Sequence, residues 1–222
     1  MGQPQVNGRR RSAGLAAKRL CDVLGAVVIL LLALPVLLVV TGLVYLKMGR
    51  PIFFFQNRPG LHGKVFRICK FRTMLNLCDT SGVPLPDAER LTPLGRFLRT
   101  TSIDELPQLL NVIKGEMSLV GPRPLPVQYL ELYSRAQARR HEMRPGITGW
   151  AQVSGRNEID WQEKFRIDVL YVDRWSLLID LKILLATVLA VVRRAGITQY
   201  GHATVECFRG NEYEQGQVAQ SA

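Results

Sequence analysis

The chain has 222 residues, 47% of them apolar and 21% charged, which supplies a hydrophobic core and excludes both a disordered protein and a pair of full catalytic domains. The net charge is +11, and the excess sits in one half: residues 1–100 hold 15 Lys and Arg against 4 Asp and Glu, whereas residues 101–222 hold 14 of each. Such asymmetry points to an anionic partner, whether nucleic acid, an acidic membrane surface or a phosphorylated ligand.

Residues 1–17 are polar, basic and glycine-containing and read as a flexible tail near anionic headgroups. From Val23 to Leu46 no residue is charged. As a helix this stretch reaches ~36 Å, enough for a ~30 Å hydrocarbon core, and it is too long for the core of a cleaved signal. Pro35 lies near its middle, where a missing backbone donor and a clash with the Leu31 carbonyl favour a kink or break. Basic residues flank it on both sides, Arg9, Arg10, Arg11, Lys18 and Arg19 before and Lys47, Arg50, Arg58, Lys64 and Arg67 after. The positive-inside rule draws both ends to the cytoplasmic face, which suits a re-entrant helix over residues 18–48 bent at Pro35. A spanning helix is equally consistent with these residues alone.

The next unit, residues 49–195, is the expected catalytic domain. Ile52–Gln56 and Lys64–Phe71 have strand composition around the turn sequence Asn57-Arg58-Pro59-Gly60-Leu61-His62-Gly63, which predicts a β-hairpin. Gly82–Pro86 is expected to be loop. Leu91–Arg99, Leu106–Lys114, Val127–Met143 and Trp161–Val172 are expected helices, the last with Trp161, Phe165 and Val169 on a core-facing stripe. Leu177–Val192 is apolar but interrupted by Asp180 and Lys182, which suits an interfacial helix or an ordinary core helix. Residues 196–222 are a polar extension with one expected short strand, Ala203–Phe208. The expected fold class is α+β: helix-rich with a small β-hairpin, an N-terminal membrane helix, re-entrant or spanning, and interfacial amphipathic helices. Cys21, Cys69, Cys78 and Cys207 form no Cys-x-x-Cys pair, and His62, His141 and His202 are far apart, so neither a zinc site nor a disulfide framework is suggested.

Four short stretches carry possible chemistry. Lys70 and Arg72 stand two apart at a strand end, so both project to one face and could clamp a diphosphate. Asp104-Glu105 follows Arg90, Arg96 and Arg99; it is an ion-pair cluster, an acid–base site working with Mg²⁺ and phosphate, or a capping device. The capping reading is specific, since Ser102-Ile103-Asp104-Glu105 has the form of a capping box, although Pro107 fits a cap at Asp104 better. Gly121-Pro122-Arg123-Pro124 fixes one arginine between prolines, which cuts the ordering cost of gripping phosphate. Arg144 and Arg156 bracket a glycine-rich turn that contains Trp150, a residue suited to the core or to covering a base.

Taken in order, the basic-flanked apolar segment with a central proline, Lys70-Phe71-Arg72-Thr73-Met74, Asp104-Glu105-Leu106-Pro107-Gln108, Ser118-Leu119-Val120-Gly121-Pro122-Arg123-Pro124 and Arg144-Pro145-Gly146-Ile147-Thr148-Gly149-Trp150 resemble the monotopic phosphoglycosyl transferases. These bacterial sugar transferases start glycan assembly on a polyprenol carrier. The resemblance covers about residues 15–195 and is to the minimal catalytic form.

It implies transfer of a sugar 1-phosphate from a UDP-sugar to undecaprenyl phosphate, with UMP released and Mg²⁺ required. Asp104 would be the nucleophile and a metal ligand, and Glu105 would assist with metal or proton handling. Lys70, Arg72, Arg99, Arg123, Arg144 and Arg156 would hold the diphosphate or the lipid phosphate. The family's apolar segment is re-entrant and broken near a proline. Many members carry serine just before that proline, whereas this chain has Leu34. The implied place is the cytoplasmic leaflet of the bacterial inner membrane, with the catalytic domain facing the cytoplasm, self-association left open and no nucleic-acid partner. The alternative is a noncatalytic, membrane-tethered protein that binds nucleotide sugars or anionic lipids.

Overall fold

The computed structural model describes residues 8–155, 159–192 and 207–211. Its first element, α1 (Gly8–Met48), is an uninterrupted helix with Pro35 inside it. Gly8 to Ala17, which composition assigns to the tail, are therefore the first turns of a helix. Tertiary contact explains the difference: Gly14 lies so close to the Trp175 ring that an added Cβ would stand 3.3 Å from it, and Arg11 donates to the Val172 carbonyl at 3.3 Å. Pro35 leaves the Leu31 carbonyl without its usual i+4 donor but does not split the helix.

One face of α1 is buried at both ends, by Lys18, Asp22 and Ala26 and then by Val40, Val44 and Met48, each trio at four-residue spacing. Lys18 Nζ donates to the Val120 carbonyl at 3.0 Å and pairs with Asp180 at 2.7 Å. Asp22 accepts from Ser118 Oγ at 2.7 Å and the Leu119 amide at 3.1 Å. Beyond Pro35, Val40, Val44 and Met48 form a cluster with Phe71 and Leu98. Between these two anchored ends the helix bares leucine and valine, Leu32 being 76% exposed.

The expected hairpin is present as β1 (Phe53–Pro59) and β2 (Val65–Phe71), antiparallel with Phe53 opposite Phe71 and Pro59 opposite Val65. His62 (φ 55°) and Gly63 (φ 75°) turn the chain between them. Phe66 and Ile68 enter the main core, which gathers Leu109, Val112, Met117, Leu119, Val120, Met143, Tyr171 and Val172. A short helix α2 (Asp87–Arg90) leads to α3 (Pro93–Thr100), whose N-cap Thr92 accepts from the Gly95 amide at 2.9 Å, with proline in the first turn. A 3-10 segment, Ile103–Gln108, runs into α4 (Leu109–Lys114), which ends at Gly115 with φ 88°. Arg19 of α1 caps that end by donating to the Val112 and Ile113 carbonyls at 2.6 and 2.9 Å.

A second, two-stranded sheet pairs β3 (Ser118–Val120) in parallel with β4 (Gly146–Thr148). The expected long helix Val127–Met143 is instead three pieces: a 3-10 turn Val127–Glu131, the short helix α5 (Arg135–Ala138) and a second 3-10 turn Arg139–Glu142. Ser134 is the reason, because it is extended (ψ 163°) and forms a capping box with Gln137 that starts a new helix. After α6 (Trp150–Val153), α7 (Trp161–Arg174) matches the expected helix, capped by Asp160, and α8 (Leu177–Val192) follows. Trp150 packs against the main core. Residues 203–206 of the expected C-terminal strand lie outside the described residues.

Where α3 crosses the end of β2 there is no room for a side chain: a Cβ on Gly95 would stand 1.8 Å from the Thr73 carbonyl oxygen. Gly95→Ala is expected to cost ~2–3 kcal/mol by forcing α3 off the strand. Thermal unfolding of detergent-purified protein measures it, and an unchanged midpoint contradicts this packing.

Candidate active site

The chain arrives at Asp104 by a sharp reversal. Ser102 is left-handed (φ 57°), an unusual conformation for a residue with a Cβ, and its side chain makes no cap bond, so the capping-box reading of this stretch does not hold. Asp104 and Glu105 instead open the 3-10 segment that precedes α4. Asp104 is 8% exposed. Glu105 Oε1 receives Lys70 Nζ at 2.6 Å from the end of β2 and Arg123 Nη2 at 3.0 Å from the Gly-Pro-Arg-Pro loop after β3.

These two neighbouring carboxyls are driven in opposite directions. Burial, helped by the charge of Glu105, pushes Asp104 up to about 6, while Lys70, Arg99 and Arg123 hold it down only in part. At Glu105 burial also disfavours the charge, but Arg123 and Lys70 outweigh it and hold the carboxyl far below its ordinary range. Near pH 7 the cluster thus contains one permanently ionised carboxylate that organises two cations, beside one ionised carboxylate of raised basicity. Opposed pKa values in adjacent groups mark a division of labour.

Lys70, Arg99 and Arg123 are the predicted cations that the structure gathers around the dyad. Arg99 also donates from Nε to Thr73 Oγ1 at 3.1 Å. Arg72 does not join them, because β2 ends at Phe71 and the guanidinium turns to the carbonyls of Met48, Gly49 (2.7 Å) and Arg50 (3.1 Å), closing the C-terminus of α1. Arg144 likewise donates to the Gly115 carbonyl at 2.9 Å, at the end of α4. Arg156 lies outside the described residues. Pro35 belongs to the exposed middle of α1 and not to the site.

Sequence reasoning missed Arg58 and a supporting ion pair. Burial and the nearby Arg123 charge lower Arg58 to about 10, with Glu105 opposing them, so its guanidinium belongs to the same field. Strand alternation could have found it, since the register puts Arg58 and, across the hairpin, Phe66, Ile68 and Lys70 on one face. The second is the buried pair Arg140–Asp168 at 2.6 Å, from which Arg140 Nη2 also donates to the Arg123 carbonyl at 2.7 Å. Asp104 and Glu105 balanced against Lys70, Arg58, Arg99 and Arg123 leave a net charge of +2, which suits a diphosphate.

Among the described residues no group of three His, Cys, Asp or Glu could hold a metal alone. The donor set still fits Mg²⁺, which takes one or two protein carboxylates and completes its octahedron with phosphate oxygens and water.

Comparison with known proteins gives a consistent answer. The profile described as "Bacterial sugar transferase" matches residues 13–194. The chain is 56% identical over 194 residues to the "Uncharacterized sugar transferase EpsL" of Bacillus subtilis (strain 168), covering 87% of this chain and 96% of that protein. It is 42% identical over 195 residues to the "UDP-glucose:undecaprenyl-phosphate glucose-1-phosphate transferase" of Klebsiella pneumoniae, covering 83% of this chain and 42% of that protein. It is 39% identical over 209 residues to the "Undecaprenyl-phosphate galactose phosphotransferase" of Salmonella typhimurium, covering 86% of this chain and 44% of that protein. The chain therefore spans less than half the length of these last two.

Proposed function

Because the chain belongs to the bacterial sugar transferase family, we propose that it transfers a sugar 1-phosphate from a UDP-sugar to undecaprenyl phosphate, with Asp104 as the covalent nucleophile. The observation that carries this reading is the buried Asp104 of raised pKa inside a net-positive cluster. A carboxylate more basic than usual is a better nucleophile, yet near pH 7 it is still mostly ionised.

In the first step an Asp104 oxygen attacks the β-phosphorus of the donor. The bond from that phosphorus to the oxygen bridging it to the α-phosphate breaks, and UMP leaves with the electron pair. An acyl phosphate joins Asp104 to the sugar phosphate. In the second step an oxygen of undecaprenyl phosphate attacks the same phosphorus and expels the Asp104 carboxylate, giving a lipid diphosphate sugar. Bringing a carboxylate to within 4 Å of an anionic phosphate costs ~4 kcal/mol at an effective dielectric of 20 if nothing compensates. Lys70, Arg58, Arg99 and Arg123 offset that repulsion, and Glu105 orients two of them. Mg²⁺, held by Asp104 or Glu105 together with phosphate oxygens, would supply further neutralisation of the leaving group.

The anchor follows the same logic, since a lipid phosphate sits at headgroup depth and the nucleotide sugar arrives from the cytoplasm. We read α1 as entering the inner membrane and returning to the cytoplasmic side. An apolar stretch that crosses a ~30 Å core separates its ends by that distance, across the bilayer. Here one globular unit grips both ends, Lys18 and Asp22 through β3 and α8, and Met48 through Arg72. That grip favours a same-side arrangement, with any bend at Pro35 made inside a continuous helix. The exposed leucines and valines of α8, and Phe53, Phe54 and Phe55 of β1, offer further apolar surface for lying at the interface. Cysteines placed at the exposed positions Ala13 and Arg50, in a background lacking the four native cysteines, are expected to react with an impermeant maleimide from the same side of intact vesicles. Labelling from opposite sides would mean a spanning helix.

The test of the chemistry is to incubate purified protein with Mg²⁺ and a panel of UDP-sugars, first without and then with undecaprenyl phosphate. A phosphosugar adduct should appear on Asp104 by mass spectrometry with donor alone and disappear as UMP and lipid product form. Product formation with no adduct at any time removes Asp104 as a covalent nucleophile.

A further inference from the structure

Cys207–Asn211 lie beyond the family match, which ends at residue 194, yet they fold back into the body of the protein. Phe208 is 2% exposed. Its ring centroid stands 5.0 Å from Phe165 and 5.7 Å from Tyr129, both edge-on, and 5.9 Å from Trp161 and 6.3 Å from Tyr133. The Phe208 amide donates to Tyr129 Oη at 2.9 Å. Asn211 completes the attachment: its Oδ1 accepts from Gln137 Nε2 at 2.6 Å and Gln162 Nε2 at 3.0 Å, and its Nδ2 donates to the Leu132 carbonyl at 3.2 Å.

What this segment touches is the support of the site. The Arg140 guanidinium carbon lies 5.7 Å from the ring centroids of both Tyr133 and Phe165, two rings that Phe208 packs against, and Arg140 Nη1 donates to Tyr133 Oη at 3.2 Å. Arg140 then holds the Arg123 carbonyl at 2.7 Å, and Arg123 reaches Glu105 at 3.0 Å. Gln137, which Asn211 grips, closes the capping box of α5, and α5 runs directly into the 3-10 turn that carries Arg140. Two independent routes thus lead from the segment to one guanidinium, and from there to the backbone of the arginine facing the dyad.

We propose that Phe208 and Asn211 are positioning residues: their segment latches Arg140 against the aromatic cluster and so fixes Arg123 where it binds the diphosphate of the nucleotide. This rests on the reading of Arg123 as a diphosphate ligand. The latch acts on ground-state binding of the nucleotide, since Arg123 meets the phosphates before any bond changes.

A double-mutant cycle with UDP as the probe, read by calorimetry in the presence of Mg²⁺, separates a latch from mere bulk. Arg123→Ala is expected to weaken UDP binding about tenfold or more, through loss of a charge-assisted hydrogen bond. Phe208→Ala should weaken it about threefold to tenfold in the otherwise native chain and less than twofold in the Arg123→Ala chain, because coupled residues are non-additive. Asn211→Ala cuts the hydrogen bonds without emptying the aromatic cluster. It should show the same pattern on a smaller scale, which keeps the test alive if Phe208→Ala does not fold. Equal loss in both backgrounds, or undiminished UDP affinity in folded Phe208→Ala and Asn211→Ala, overturns the latch. If Arg123→Ala itself leaves UDP binding unchanged, the assignment of Arg123 fails instead, and the latch with it. An Asp104 variant that still turns over counts against the covalent mechanism alone.

Discussion

Asp104→Asn is expected to lower UMP release at least about a thousandfold and, at the same time, to make the protein more stable at neutral pH. The first effect follows if Asp104 is the proposed nucleophile, because a neutral amide does not form the acyl phosphate that a carboxylate forms. The second follows from linkage. Burial and Glu105 raise the Asp104 carboxyl from its ordinary 3.8 to about 6, so the folded state holds this proton more tightly than the unfolded chain does. Below pH 4 both states are protonated and nothing is lost. Stability then falls as the pH rises from about 4 to about 6, and above that the full penalty of ~3 kcal/mol remains. Asparagine carries no charge to desolvate and recovers most of it. Glu105 runs the other way: its folded pKa is depressed, so its contribution is present above its ordinary 4.5 and is lost as the pH falls toward its folded value. Denaturant titration of both proteins at pH 5 and pH 7.5 checks the claim, with the gain in Asp104→Asn larger at pH 7.5. If Asp104 is the proposed nucleophile, kcat/KM of the native chain should fall about tenfold per pH unit below 6, as Asp104 takes up its proton. A variant that is inactive but no more stable means that Asp104 is not held against its own solvation.

The second large effect is expected at Arg140→Met. Arg140 and Asp168 are 2% and 5% exposed at their side chains, and removing one member leaves the other charge buried and unpaired, at a cost of ~3–5 kcal/mol. Asp168 already has a raised pKa from burial, with Arg140 opposing, so without Arg140 it takes up a proton more readily. The loss in Arg140→Met should therefore shrink as the pH is lowered. The double variant Arg140→Met with Asp168→Leu replaces the pair by apolar groups and should regain most of the stability. It should not regain activity, because the hydrogen bond to the Arg123 carbonyl is still missing. Recovery of both together would mean that the pair only packs the core.

Several features were legible without coordinates because they depend on local properties. The hairpin is fixed by turn chemistry and strand composition, α7 by its apolar stripe, and the apolar anchor by the run of uncharged residues. The acidic pair stood out through its setting between arginines. Other readings failed where two local signals competed. Ser134 could continue a helix or start one, and its side chain found a better bond at a new N-terminus. Ser102 could cap, but the left-handed turn that delivers Asp104 removed the option. The first turns of α1 have the composition of a tail and became helix through contact with Trp175 and Val172, which lie more than 150 residues away.

By itself the sequence determined that an apolar anchor, an acidic dyad and a set of arginines in a recognisable order share one chain. Only the tertiary structure decided which arginines serve the dyad. Arg72 and Arg144 close helix ends, Arg140 is buried on Asp168, and Arg58, hidden in a turn sequence, faces the site. The physical reason is that an arginine is a long lever with five donors, and spacing along the chain sets where its base is planted. What its far end grips depends on the carbonyls and carboxylates that folding brings opposite it, from segments far away in sequence.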